Sequence, residues 1–426
     1  MIGSEMYGWA RDLFPVCRRL TGNGTRQTLA YLRDIVPEMT LHEVRSGTAA
    51  FDWIVPDEWN IAGGYIENEA GERVVDFADS NLHVVGYSQP VDGIFTLEEL
   101  DPHLHSLPDR PDTVPYITSY YARNWGFCLT HNTRETMKAG RYRCVIDSTL
   151  GPGSLTYGEI FLPGTSSSEI FLSTYVCHPS MANNELSGPI VTIALARWLA
   201  GRRDRRYGIR IVFIPETIGS IVYLSRHLEH LKQHVIAGFN ITCVGDDRAW
   251  SYLPSRRGDT LADRAALHVL GREHPDFVHY SYLDRGSDER QYCSPGVDLP
   301  VASVMRSKYG AYPEYHTSDD DLSVISPEGL GGAYEALKRC IECVEMNDTF
   351  RTQTLGEPQL GRHNLISNVG LGPAKMSDFR RRLSNLLAYS DGTKDLIAVA
   401  DEIGEPVWEL LEPLSRLLDN NLVARI

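Results

Sequence analysis

No run of apolar residues in this chain of 426 approaches the length of a membrane-spanning helix. Its first residues, Met1-Ile-Gly-Ser-Glu-Met, lack the basic head and apolar core of a secretory signal. A cytoplasmic protein with reduced thiols and no membrane partner is therefore expected. Positive charge is short: 41 Lys and Arg stand against 56 Asp and Glu, a net charge of −15. Such a surface repels nucleic acid, so neither DNA nor RNA is an expected partner. There is no H-E-x-x-H motif and no cysteine pair with zinc-finger spacing. The eight cysteines are scattered, several inside apolar runs. Cys340 and Cys343 form a C-x-x-C, but on a helical stretch without a second Cys/His pair, which reads as two small buried residues. No internal repeat is evident.

What is present is an ordinary globular composition, 42% hydrophobic and 23% charged, in a chain long enough for two or three domains. The stretch from Glu169 to Glu216 organises it. Two apolar runs of strand length, Glu169–Val176 and Ile209–Pro215, each lead to a residue able to bind metal or move a proton, His178 and Glu216. The segment between them is long enough for a crossover helix. That is a βαβ unit with its polar groups at the C-terminal strand ends, the edge where open α/β sheets bind ligands. Further strands are predicted at Val235–Val244 and Leu299–Met305, with helices at Gly188–Leu199, Ile221–Leu231, Leu261–Leu270 and Pro327–Met346. The alternation predicts an α/β core with a mostly parallel sheet.

Before this core, residues 4–38 have helical spacing, with Thr25 a candidate cap for a second helix. From Phe51 to Asp147 the chain is rich in aromatics, with short alternating runs between turn signals, the texture of a small β-rich module. Aromatic clusters of this kind are more often core than binding site. After Asp348 a Gly/Pro linker leads to a compact tail. Helices are expected at Phe379–Tyr389, from Thr393 and at Val407–Asn420, with a turn at Asp391-Gly392 and a strand-like end. The order is that of a winged helix. Its third helix carries two Glu and one Arg, the wrong charge for reading DNA, so a packing or protein-contact module is the better reading.

His178, Glu185, Glu216, Asp246, Asp247, Asp288 and His316 all fall after a strand or in a loop on one predicted sheet edge. His and carboxylate side chains suit zinc, and a carboxylate beside a metal suits a base. Each has a plainer reading: an incidental surface histidine, a helix-capping Glu216, a solvated loop at Asp319–Asp321.

Five stretches carry a resemblance: Cys177-His-Pro-Ser-Met-Ala-Asn-Asn-Glu-Leu-Ser-Gly-Pro189, Ile214-Pro-Glu-Thr-Ile-Gly-Ser220, Cys243-Val-Gly-Asp-Asp247, Arg285-Gly-Ser-Asp-Glu-Arg-Gln-Tyr292 and Glu314-Tyr-His-Thr-Ser318. The chain resembles the aminopeptidase-like family encoded among polysaccharide-biosynthesis genes, within the clan of zinc aminopeptidases and glutaminyl cyclases. The likeness covers nearly the whole chain. It implies a phosphorylase/hydrolase-like zinc-peptidase core (an N-terminal helical part, 1–50, and the main part, 151–350), an inserted β module (51–150) and a winged-helix-like domain (355–426).

Two-zinc aminopeptidases follow the first His with Asp-Asn-x-Ser-Gly. Here Leu186-Ser-Gly188 matches, but Asn184 stands at the bridging Asp and Glu185 follows. Their Glu-Glu pair is reduced to Pro215-Glu216, and their third-motif Asp falls near Thr242. The resemblance then implies one zinc ion held by His178, Glu185 and His316. Glu216 serves as the base for a metal-activated water or as an additional ligand, and Asp288 as an acid that binds the substrate amine. The implied activity is hydrolysis of a small peptide, aminoacyl or N-acyl amide. The alternative is a catalytically altered peptidase-fold protein that binds a ligand or partner in polysaccharide or secondary-metabolite biosynthesis. A homo-oligomer is compatible with either.

Overall fold

The computed structural model describes residues 2–365 and 378–426. Two helices open the chain, α1 (Ile2–Leu13) and α2 (Asn23–Ile35). Their apolar stripes, Met6, Ala10 and Leu13, then Leu29 and Leu32, are buried in the main core. The second helix begins two residues before the expected cap. Gly22 takes the N-cap at φ 97°, and a Cβ there would lie 2.2 Å from the Trp59 carbonyl oxygen. Thr25 instead turns its hydroxyl back to the Arg19 carbonyl.

Strand β1 (Thr40–Arg45) is followed by the inserted module, whose strands are β2 (Glu58–Glu67), β3 (Arg73–Asp76), β4 (Val91–Thr96) and β5 (Arg141–Gly151). They form an antiparallel sheet in the order β3-β2-β5-β4. Immediately after it, β6 (Ser154–Leu162) pairs antiparallel with β1, Arg45 opposite Ser154. The module therefore sits at the tip of a hairpin, where a long insertion leaves the host sheet intact.

The core strands are β7 (Glu169–Tyr175), β8 (Gly208–Ile214), β9 (Val235–Asn240), β10 (Ser251–Leu253), β11 (Val278–His279) and β12 (Val301–Met305). With β1 and β6 they build one eight-stranded sheet, β1-β6-β8-β7-β9-β12-β10-β11. The central four, β8, β7, β9 and β12, are parallel. Every residue of β7 is buried, as expected of a central strand covered on both faces. Helices α3 (Ser187–Ala200), α5 (Leu261–Glu273) and α6 (Pro327–Met346) pack with α1 into one apolar cluster, while α4 (Ile218–His234) joins a second cluster shared with the module. β8 serves both: Ile209, Ile211 and Phe213 enter the first cluster, Val212 and Ile214 the second.

The tail comprises β13 (Thr349–Thr352), α7 (Asp378–Ala388), β14 (Asp391–Asp395), α8 (Leu396–Glu402), α9 (Val407–Asp419) and β15 (Val423–Arg425), with sheet order β14-β13-β15. Three expectations shift here. The helix expected from Thr393 starts only at Leu396, capped by Asp395, because Thr393 belongs to β14. Asp391-Gly392 lies in a strand instead of a turn, and β13, which precedes residue 355, already belongs to this sheet. The tail is docked on α5. His268 holds Asp401 through Nδ1 at 2.7 Å and accepts the Val407 N–H at Nε2 at 3.0 Å. No helix among the described residues is long and apolar enough to cross a membrane.

Arg26 of α2 pins the module to the core, pairing with Glu58 at the start of β2 and reaching Ser154 Oγ at 3.2 Å. Burial pushes the Glu58 carboxyl up, but the Arg26 guanidinium and the Ser154 N–H outweigh it and hold it at about 2. A carboxyl lowered by folding stabilises the fold above its unfolded pKa, and that contribution fades as pH falls toward the folded value. Glu58→Gln is expected to cost about 1–2 kcal/mol at pH 7 after allowance for solvent screening. In urea unfolding the difference from the parent should be smaller at pH 3 than at pH 7.

Candidate metal centre

The parallel strands β7, β8 and β9 end on one edge, and each is followed within five residues by a non-glycine residue at positive φ. These are Ser180 at 47°, Thr217 at 62° and Cys243 at 52°; His316, in a fourth loop, is at 56°. Such backbone is costly for side chains with a Cβ, most of all for a β-branched Thr, and gathers where geometry is constrained by function. His178 follows β7 and Glu216 follows β8, as the sequence predicts.

Between His178 and α3 the chain makes a single π-helical turn, Ala182–Leu186, with all five residues buried. Buried Asp320 holds it, accepting the N–H groups of Asn183 at 2.8 Å and Asn184 at 2.9 Å and the Tyr312 hydroxyl at 3.0 Å. Gly188 lets α3 start hard against the sheet, since a Cβ there would meet the Ile241 carbonyl oxygen at 2.5 Å. The turn aims Glu185 inward. One of its oxygens accepts the Cys177 N–H and the other lies 2.9 Å from His178 Nδ1. Behind it the buried Arg18 donates to the His178 carbonyl at 3.3 Å and to Thr28 Oγ1 at 3.2 Å.

With Nδ1 engaged, His178 turns Nε2 toward Glu216, whose Oε2 is 3.7 Å away. The His316 ring lies 5.3 Å from that of His178, centroid to centroid. His316 Nε2 is buried with no hydrogen-bond partner. Burial, and then the nearby Arg19 and Arg18, hold the His178 imidazole down at about 3; burial and then His178 do the same to His316. Both rings are neutral near pH 7, the form that ligates metal. Burial raises the Glu185 carboxyl to about 8, with Arg18 opposing. Glu216 is pushed well up by burial and then by the charge of Asp288. Asp288 Oδ1 accepts the Thr217 N–H at 2.7 Å and the Ser220 hydroxyl at 2.9 Å, while Oδ2 is buried without a partner. Burial takes Asp288 to about 7.

Among the described residues, Cys177, His178 and Glu185 are the one group of three potential ligands with donor atoms within 4.8 Å of one another. Those atoms already satisfy each other, Sγ to Nδ1 at 3.3 Å and Nδ1 to Oε2 at 2.9 Å, so the group is a hydrogen-bonded knot behind the imidazole. The expected trio His178, Glu185 and His316 does not meet at a point. Its two histidines face each other, and Glu185 stands behind the first. Asp246 turns away to the Ser307 N–H at 3.1 Å, and Asp247 accepts from Ser326.

Asn184 and Thr242, the positions that depart from the two-zinc pattern, belong to a closed neutral network. Thr242 Oγ1 donates to the Tyr175 hydroxyl at 2.6 Å, and that hydroxyl donates to Asn184 Oδ1 at 3.1 Å.

Sequence reasoning missed the module's share in the site. Tyr116 places its ring 5.2 Å from the rings of both His178 and His316 and donates its N–H to the His316 carbonyl at 3.1 Å. Val114 and Ser318 exchange two further bonds, and Thr113 and Arg110 hold Asp319. The aromatic excess of the module was the available signal, but it was read as core. Asp320, read as part of a solvated loop, is fully buried.

A family model described as a domain of unknown function (DUF4910) matches residues 7–347, and one described as a winged helix-turn-helix matches residues 348–425. A Clostridium acetobutylicum protein described as a candidate polysaccharide biosynthesis protein with aminopeptidase-like domain is 42% identical over 403 residues, 94% of this chain and 92% of that one. The crystal structure of a candidate peptidase from Clostridium acetobutylicum matches with a TM-score of 0.93 and 40% identity, over 100% of this chain and 96% of that chain. A zinc aminopeptidase from Bacillus subtilis shares the fold at a TM-score of 0.58 and 12% identity, over 80% of this chain and 94% of that chain.

Removing the Asp320 carboxylate leaves two buried N–H groups of the π turn without an acceptor. Asp320→Ala should lower stability by about 2–3 kcal/mol, read as a shift in the urea midpoint at unchanged slope.

Proposed function

The chain belongs to the family described as domain of unknown function DUF4910, built on an aminopeptidase-like fold with a winged-helix tail, and on that premise we propose that it is a zinc-dependent amide hydrolase. Its substrate would be a small peptide, aminoacyl or N-acyl amide. The observation that carries this reading is the pair of facing neutral imidazoles, one oriented through Nδ1 by a buried carboxylate and the other with a buried, unpartnered Nε2. A histidine whose far nitrogen is held by a carboxylate is the usual support of a metal ligand, and an unpaired buried nitrogen is costly unless something binds it.

In this reading His178 and His316 supply the nitrogen donors, and Glu185 serves to orient His178. Zinc, when bound, polarises an amide carbonyl and makes water a usable nucleophile near neutral pH. The chain's own groups do the rest. Glu216, on the Nε2 face of His178, accepts the proton of the attacking water and returns it to the leaving nitrogen. Asp288, with Oδ1 tied to the start of α4, offers Oδ2 to a substrate ammonium. Tyr116 from the module closes the site over the two imidazoles and helps exclude water. The neutral network of Tyr175, Asn184 and Thr242 supports a single ion, since a second dication would find amide and hydroxyl groups where carboxylates are needed.

The tail reads as a contact module. Its α9 buries Val407, Leu410, Leu414 and Leu417 and exposes Glu409, Glu412, Arg416 and Asp419, with Glu409 paired to Arg382 and Glu412 to Arg416, a helix face without the excess of basic side chains that phosphates need. The name of the Clostridium acetobutylicum relative supports a role in building saccharides, with the amide carried by a sugar precursor.

Protein purified without chelator or histidine tag should contain about one zinc per chain, lost in His178→Ala and in His316→Ala. Glu216→Gln should abolish turnover of aminoacyl and N-acyl amides while keeping its zinc. Loss of zinc in that variant would move Glu216 to the donor set. No zinc after reconstitution would leave a ligand-binding protein on a peptidase fold.

A further inference from the structure

Several large apolar side chains that stay exposed lie together on the inserted module. Phe51 is 57% exposed, Trp53 38%, Ile54 55% and Tyr121 54%. They belong to two facing stretches, a short hairpin at 49–54 and the segment 120–123. The Tyr121 hydroxyl ties the two by donating to the Ile54 carbonyl at 2.7 Å, and the Trp53 and Tyr121 rings are 6.5 Å apart. Between the stretches lies a cavity of about 570 Å³ lined by Trp53, Pro56, Asp57, Tyr120, Tyr121 and Arg123, among others. That volume is ordinary for a small-molecule site. The inner wall is Tyr120, set edge-on to Tyr87 at 5.7 Å. Tyr120 stands four residues after Tyr116, so one segment of the module both lines this cavity and lies against the two imidazoles.

Its chemistry is mixed in a telling way. Aromatic faces supply apolar area, while Asp57 and Arg123, 2.7 Å apart, and the exposed Asp52 supply polar groups along the same walls. A purely apolar ligand would strip water from those groups and satisfy none of the donors and acceptors left over beyond the Asp57–Arg123 pair, at a cost of about 1–3 kcal/mol for each group buried. An anion would meet two aspartates against one arginine. A saturated ring with hydroxyls at its edge answers both demands: its C–H face lies on the aromatic rings, and its hydroxyls both donate to carboxylate and accept from guanidinium.

We propose that this cavity is a subsite for an uncharged glycosyl unit, stacked on Trp53 and Tyr121 and hydrogen-bonded by Asp57 and Arg123. It rests on the hydrolase reading in one respect only, that the sugar is part of the substrate whose amide reaches Glu216. Binding of the sugar alone does not depend on that reading.

The test is saturation-transfer NMR on the full chain with its metal, using N-acetyl-D-glucosamine and D-glucose as probes and N-acetyl-L-phenylalaninamide as the apolar comparison. Saturable binding of at least one sugar is expected below about 50 mM. It should weaken about tenfold or more in Trp53→Ala, recover in Trp53→Phe, weaken in Asp57→Asn and persist in His178→Ala. Trp53 is exposed, so its truncation leaves the module's core in place. No saturable sugar binding, binding unchanged in Trp53→Ala, or binding of the aromatic amide alone would overturn the proposal. Sugar binding retained by a protein without amide turnover would sink the hydrolase reading and leave the subsite standing.

Discussion

A buried guanidinium holds the functional edge of this molecule together. Arg18 lies between α1 and α2 with no measurable exposure. It donates to Leu13, Thr28 and the His178 carbonyl and faces the buried Glu185. A buried cation is tolerated only when its donors are spent and an acid stands near. Those conditions fix three segments at once: the turn between the first helices, the end of the central strand and the π turn that carries Glu185. Because Glu185 is held, His178 presents Nε2 outward in one orientation. Truncating Arg18 or Glu185 would leave buried hydrogen-bonding groups, such as the His178 carbonyl or the Cys177 N–H, without their partners.

The second constraint comes from where the module is inserted. Because β1 and β6 pair as the arms of a hairpin, the intervening residues can fold as a separate sheet and still return to the core. They touch the core again at several points, among them the Arg26–Glu58 pair, the Thr21–Tyr87 and Asn81–Ser180 hydrogen bonds and residues 110–118, where the module is zipped to the loop of His316. One histidine is therefore set by the core and the other is gripped by the insertion, so the spacing between them depends on how the two bodies dock. The strained backbone at Ser180, Thr217, Cys243 and His316 is the cost of turning four chain segments toward one point.

Much of this was legible before any coordinates. Continuous apolar runs ending in His178 and Glu216 marked central parallel strands, because a strand covered on both faces needs no alternation. Pro327 and Met346 bounded a helix that forms over those very residues. Errors came where a local rule met a tertiary neighbour. Thr25 is a sound capping residue, but the backbone of Trp59 packs against Gly22 and sets the helix start. Asp391-Gly392 is a strong turn signal, yet pairing with β13 draws it into a strand.

The residue types at the sheet edge and the order of strands and helices follow from the sequence by itself, since hydrophobic periodicity and chain connectivity are local properties. Only the tertiary structure decided which side chains share a site. The path from His178 to His316 is 138 residues long, and the contact of both with Tyr116 joins three segments that no spacing rule links. Whether Glu185 faces a metal or the back of an imidazole is likewise a question of direction within a few ångströms, set by the π turn and by Asp320 from a distant loop. Such directions arise from packing and from satisfying every buried polar group together, and no single stretch of sequence contains that sum.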